Sequence, residues 1–253
     1  MDFFFGNMSM WQIIALSFSA ILIGINKTGI PGLGLVPVMV LIYAFPENVG
    51  LSTGMQLVML CTADLMAVAY YRRGADWKMV FRLLPCALAG LGVGYVTMEY
   101  IQNIHLDKII GVIILLLSAL NYIRRKYWKS DKVPTSIYFT IGVGLAAGFT
   151  TMVANAAGPI MALYLLSMRF SKEKYIGTAA WYFMIMNWLK LPVFAIQDRI
   201  TVEATMACLA MIPFLLIGSV IGIIFLKKAS LNLFERIIEV LVILGALKLL
   251  LPF

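Results

Sequence analysis

Six stretches of this chain, at about residues 50–71, 79–98, 106–123, 174–195, 203–225 and 234–252, stay apolar over the roughly 20 residues that a helix needs to cross a bilayer. Runs of that length and composition leave little choice of surroundings, because nothing along them is suited to facing water. The rest of the chain agrees. Of its 253 residues 62% are hydrophobic and 13% charged, against roughly 25% charged in soluble domains. So few charges cannot cover a soluble surface. A cytosolic enzyme, a nucleic-acid-binding domain and a disordered chain are excluded. The fold class is an all-α polytopic membrane protein.

Two further apolar regions, about 10–44 and 136–168, are too long for one helix, and each is interrupted. The first break reads Gly24-Ile25-Asn26-Lys27-Thr28-Gly29-Ile30-Pro31-Gly32-Leu33-Gly34. The second reads Gly148-Phe149-Thr150-Thr151-Met152-Val153-Ala154-Asn155-Ala156-Ala157-Gly158-Pro159. Glycine and proline punctuate helices, so each region is expected to be a re-entrant hairpin or a pair of short helices joined by a bend.

The net charge of +8 comes from 20 Lys and Arg against 12 Asp and Glu. In a membrane protein this excess gathers in cytoplasmic loops. One set of loops carries Arg72, Arg73, Lys78 and Arg82, then Arg124, Arg125, Lys126, Lys129 and Lys132. The same set holds Arg169, Lys172 and Lys174, then Lys227, Lys228 and Arg236. Opposite loops hold Glu47, Glu99, Asp107, Asp198 and Glu203. The basic side is therefore expected to be cytoplasmic, with six crossings and two hairpins entering from opposite faces. Met1–Met10 holds Asp2 and no Lys or Arg, so no removed signal segment is expected.

The two halves resemble each other. Pro85, Gly90 and Gly94 recur as Pro213, Gly218 and Gly222 at an offset of 128. Leu106-Asp107-Lys108-Ile109-Ile110 recurs at that offset as Phe234-Glu235-Arg236-Ile237-Ile238, and Pro37 pairs with Pro159. Chance recurrence of Pro and Gly in membrane helices is the plainer alternative, but a shared offset across two helices argues against it. The division expected is a first repeat at 1–123, a basic cytoplasmic connection at 124–135 and a second repeat at 136–253. Three crossings per half would invert the second repeat, an architecture of secondary transporters that hold substrate near the midplane.

The segment Thr28-Gly29-Ile30-Pro31-Gly32-Leu33-Gly34-Leu35-Val36-Pro37 resembles the signature that opens the TauE/SafE sulfite-exporter family, and Gly50-Leu51-Ser52-Thr53-Gly54 resembles its next stretch. The duplication and the basic centre match too, so the resemblance covers nearly the whole chain. It implies a permease for sulfite, organosulfonates and related small sulfur-containing anions, acting as an exporter. Lys27 and Asn155 stand in the breaks where many relatives have small residues.

Lys27 is a charge within an apolar region, costly unless paired or hydrated. It reads either as the counter-charge of an anionic substrate or as a lysine snorkelling to a membrane surface. Helix starts beyond the breaks leave backbone N–H groups that attract anions, which nominates Gly29, Gly32 and Gly34 in the first break and Asn155 and Ala156 in the second. Asn26, Thr28, Thr150, Thr151 and Asn155 add side-chain donors, or simply cap their own helices. Gln56, Trp181 and Asn187 lie on helices that follow the hairpins and are candidates to line the pathway. Asp64 and Lys190 are buried ions in corresponding helices. They could form a structural ion pair with each other or line the pathway, and Asp64 could carry a coupling proton. The substrate is expected between the two hairpin tips.

Cys61, Cys86 and Cys208 show no metal-ligand spacing, and no nucleophile–base set or phosphate loop occurs, so no cofactor and no enzyme activity are expected. Expected partners are a small anion, the lipid bilayer and, as an option, a second copy of the chain. Nucleic acid is not a partner. The expected location is the cell membrane, the inner one in a bacterium. A non-transporting membrane scaffold is the alternative function.

Overall fold

In the computed structural model of the chain, residues 8–100 and 136–250 are described, and among these every regular element is a helix. The expected crossing at 106–123, the connection at 124–135, the repeat match at 106–110 and His105 lie outside the described residues.

The elements are α1 (Met10–Thr28), α2 (Leu35–Ala44), α3 (Val49–Tyr71), α4 (Trp77–Tyr100), α5 (Ile137–Ala154) and α6 (Ala157–Ser167). Then come α7 (Lys172–Ile196), α8 (Val202–Ala210), α9 (Ile212–Lys228) and α10 (Leu231–Leu250). Five of them, α1, α3, most of α4, α5 and α7, are long and apolar enough to cross a membrane, and α8 with α9 makes a sixth candidate.

That sixth candidate is not the single helix expected over 203–225. It bends by 47° at Met211, with Pro213 in the first turn of α9. Proline there lacks the N–H that would continue α8 and clashes with the preceding turn. Pro85, its partner at offset 128, stays inside α4.

Both interrupted regions are helix pairs, but with unequal arms and tighter breaks than the sequence suggests. The long arms have 19 and 18 residues, the short arms 10 and 11. At ~1.5 Å per residue a long arm reaches nearly across the hydrocarbon and a short arm about halfway. The first break is a turn at 29–34, with Gly32 at φ 107, a backbone that only glycine adopts easily. The second is only Asn155 and Ala156, with Asn155 left-handed at φ 51. Asparagine tolerates that conformation better than most residues. Each short arm carries proline as its third residue, Pro37 and Pro159.

The glycines that read as punctuation are packing surfaces. Gly24 and Gly148 sit inside α1 and α5. A Cβ on Gly24 would strike the backbone of Leu215 and Ser219, and one on Gly148 the backbone of Ala87 and Leu91. Close approach through small residues is how membrane helices gain contact, since lipid gives them no hydrophobic drive to associate.

The helices form two compact units. The first contains residues 8–73 and 180–229: α1, α2, α3, the later part of α7, α8 and α9. Its core gathers Leu16, Ile23, Leu41, Met55, Met59 and Leu215. Here α1 lies on α9, with Gly218 against the backbone of Ile21 and Gly222 against Thr28 and Gly29. The second contains residues 74–100, 136–179 and 230–250. There α4 lies on α5, with Gly90 against the backbone of Leu145 and Gly94 against Met152. So the two glycine pairs that repeat at offset 128 do the same work, each seating the long arm encoded in the other half of the chain. On α9 the opposite face exposes Leu216, Ile217, Val220, Ile221 and Ile224, a surface suited to lipid.

At one loop of the second unit, Lys174 Nζ lies 2.9 Å from Asp76 Oδ2, and the Asp76 N–H donates to Thr178 at 2.9 Å. The hydrogen bond from Lys174 holds the Asp76 carboxyl below its ordinary value of 3.8. Its stabilisation is complete above the unfolded-state value and fades as pH falls through the folded one. Both ends reach water, so the effect is small. Thermal melts of wild type and Asp76→Asn are expected to differ at neutral pH and to converge as pH falls below the ordinary carboxylate value of 3.8.

Candidate functional site

The first unit holds a buried charged cluster at the end of α1. Lys27 lies in the last turn of that helix, where the C-terminal dipole favours a cation, one residue before the chain leaves the helix. Its ammonium is 2.6 Å from Asp64 Oδ1 on α3 and sits over the Phe183 ring of α7 at 4.4 Å. Asn187 Nδ2, one turn further along α7, donates to Asp64 Oδ2 at 2.6 Å. Asp64 is fully buried, Asn187 is 1% exposed and Lys27 8% exposed.

Phe183, Asn187, Lys190 and Phe194 follow each other at steps of four, three and four, which puts them on one face of α7. Lys190 is fully buried, with Nζ over Phe194 at 5.8 Å. The sequence leaves Asp64 and Lys190 open as a mutual pair. In the structure the carboxylate is gripped by Lys27 and Asn187, and Lys190 adds a second cation to the same face. If all three are ionised, Lys27, Asp64 and Lys190 sum to one positive charge.

The break beside Lys27 is held from several sides. The Gly29 and Ile30 amides both donate to the Ile25 carbonyl, at 2.9 and 3.0 Å. Tyr71 OH donates to the Thr28 carbonyl at 2.9 Å, satisfying an acceptor that the helix end leaves open. The Thr28 hydroxyl reaches the carbonyls of Gly24 and Ser219, at 2.9 and 2.8 Å. Asn26 lies beside Gly34.

Of the other nominated residues, Gln56 is buried two turns before Asp64 on α3, and Trp181 Nε1 approaches the Arg72 carbonyl at 3.4 Å. Thr150, Thr151, Asn155 and Ala156 belong to the second unit. The Thr150 hydroxyl bonds back to the Ala146 carbonyl at 2.8 Å, and the amides of Asn155 and Ala156 donate to Thr151 and Thr150 at 3.1 Å. Those donors close the end of α5.

Three residues escape the sequence reading. Phe183 shares a helical face with the two polar residues of α7, a spacing that could have revealed it. Ser19 and Tyr182 carry buried hydroxyls with no hydrogen-bond partner among the described residues, and nothing in the sequence marks them. Unsatisfied buried hydroxyls in a membrane core are costly, and a polar ligand or water would satisfy them. Among the described residues no group of His, Cys, Asp and Glu is placed to hold a metal.

No curated protein and no solved structure matches the chain. The profile of one family does: Sulfite exporter TauE/SafE, over residues 14–249. With multiple apolar helices of spanning length and a match across nearly all of its sequence, this membrane protein belongs to the TauE/SafE sulfite exporter family.

Proposed function

We propose that the chain is a secondary transporter that exports a small sulfur-containing anion, sulfite or an organosulfonate, across the cell membrane by alternating access. The observation that carries this reading is the buried Lys27–Asp64–Asn187 network at the break between α1 and α2. Three ionisable or strongly polar groups are held where burial makes each of them costly, which in a membrane is the mark of a working site. Lys27 supplies the charge for the anion. Asn26 and the backbone at Gly32 and Gly34 supply directional donors, whereas the Gly29 amide is already bonded to the Ile25 carbonyl. Gln56, Trp181 and Asn187 line the approach. In the second unit Thr150, Thr151, Asn155 and Ala156 form the counterpart break. Two repeats, 1–123 and 136–253, inverted about the basic connection at 124–135, account for the paired breaks and glycine pairs.

A charge-assisted contact contributes about 1.5–3 kcal/mol, or roughly ten- to more than a hundredfold in affinity. Purified protein in liposomes is expected to exchange sulfite or isethionate across the membrane, and Lys27→Gln to weaken that exchange by about that factor. Absence of flux for every small sulfur anion offered would leave a membrane scaffold as the better reading. Orientation has its own test. A cysteine at Lys129 is expected to react with an impermeant thiol reagent from the cytoplasmic side only, and labelling from outside alone would reverse the topology.

A further inference from the structure

The charge on Lys27 is already balanced. Asp64 holds the ammonium at 2.6 Å, with its second oxygen fixed by Asn187, and neither carboxylate oxygen is open to water. An anion that docks on Lys27 therefore arrives within a few ångströms of a buried carboxylate. Like charges at that spacing in a site of low dielectric disfavour each other strongly. At the Lys27–Asp64 contact one ammonium then faces two negative charges, a local excess that one positive charge entering with the anion removes.

We propose that this charge is a proton on Asp64, taken up as a monovalent anion takes over Lys27, so that anion and proton cross together, the cycle carries no net charge, and export runs on the anion's own concentration gradient. The inference rests on the reading that Lys27 holds the anion. The proton comes from water on the loading side and forms an O–H bond at Oδ1, where the Lys27 hydrogen bond is given up. Asn187 keeps its bond to Oδ2. On the far side the proton returns to water, the anion leaves, and the ion pair closes again.

The groups around Asp64 fit this assignment. Lys27 faces it from α1, Asn187 and Lys190 from α7, and the Cys61 thiol from the preceding turn of α3. The other helices packed on α3 keep their charges at their ends: Glu203 opens α8, Lys227 and Lys228 close α9, and α2 has none. Lys190 is the competing carrier. Asp64 is favoured because it touches the same Lys27 nitrogen that the anion must engage.

Proteoliposomes separate the two layers of the argument. Isethionate is the probe for coupling, because its sulfonate stays ionised at working pH whereas sulfite itself takes up protons. Exchange of sulfite and isethionate at equal pH and zero potential comes first. If neither exchanges, the anion site itself is refuted, and the coupling with it. With exchange established, an inward proton gradient of one pH unit at zero potential is expected to accumulate isethionate up to about tenfold, and a potassium–valinomycin potential alone to accumulate none. Movement that follows the potential and ignores the proton gradient overturns the proposal while leaving the anion site standing. In Asp64→Asn the dependence is expected to reverse, with isethionate driven by potential and indifferent to pH. Lys190→Gln is expected to keep its dependence on the pH gradient, whatever its rate. Loss of that dependence in Lys190→Gln together with its survival in Asp64→Asn would place the proton on Lys190 and overturn the assignment.

Discussion

Replacing Asp64 with alanine is expected to cost about 3–5 kcal/mol of stability, because it strands the Lys27 ammonium in a site with almost no water. For a chain of this size that is a fall in melting temperature of roughly 10 °C or more. The loss belongs to the uncompensated charge rather than to any large net worth of the pair, since replacing both partners of a buried ion pair by apolar residues is often neutral or stabilising. The double variant Lys27→Met/Asp64→Leu is therefore expected to recover most of the lost stability while abolishing anion exchange. A thermal melt in detergent on Lys27→Met, Asp64→Leu and the double gives the coupling between them. If Asp64→Ala melts with the wild type, the carboxylate is not holding Lys27 and the site must be redrawn. The same geometry changes what to expect of Lys27. From sequence, Lys190 is the lysine whose loss destabilises and Lys27 the one whose loss affects affinity alone. Once Lys27 carries the pair with Asp64, removing it does both.

The class of the protein was legible because bilayer thickness converts directly into a count of apolar residues, and α3 and α7 begin and end within about two residues of the expected crossings. The existence of both breaks was legible for a related reason: 10–44 and 136–168 are too long to be one helix. Their narrow extent was not. Gly24 and Gly148 look like helix breakers in one dimension, but in lipid a glycine inside a helix is as useful for close packing as for bending, and sequence alone does not say which. Asn155, with no glycine or proline at its own position, ends α5 by adopting a left-handed backbone. The bend at Met211 shows the same ambiguity in reverse, since Pro213 starts a new helix while Pro85 lies within one. The residues of the site were legible as types, because buried Lys and Asp stand out in apolar runs. Their pairing was not, because choosing between Lys27 and Lys190 for Asp64 requires knowing which helix faces which.

The second large effect concerns those packing glycines. Gly148→Leu is expected to prevent α4 and α5 from closing, because the first atom of any side chain there meets the carbonyl of Ala87 and the amide of Leu91. Backbone cannot swing aside as a side-chain end can, so the helices must separate along their contact. Overpacking of ordinary cores costs about 1–3 kcal/mol, and a clash that involves backbone alone lies at or beyond the upper end. The expected outcome is a protein that is recovered poorly from membranes and elutes as aggregate in detergent. Gly142, six residues earlier on the same helix, is the control. Among the described residues, nothing beyond its own stretch of helix lies within 4 Å of where its Cβ would be, so Gly142→Leu adds a residue of better helix propensity and is expected to be neutral or stabilising by under about 1 kcal/mol. Gly222→Leu against Gly92→Leu repeats the contrast, the first striking Thr28 and Gly29 and the second meeting no neighbouring element among the described residues. If Gly148→Leu and Gly142→Leu elute and melt alike, composition alone governs the glycines and the close seating of α5 on α4 is wrong. If they part as expected, the offset of 128 between the glycine pairs records a packing requirement met twice. Gly222 would then act on transport indirectly, since it seats the end of α1 that carries Lys27.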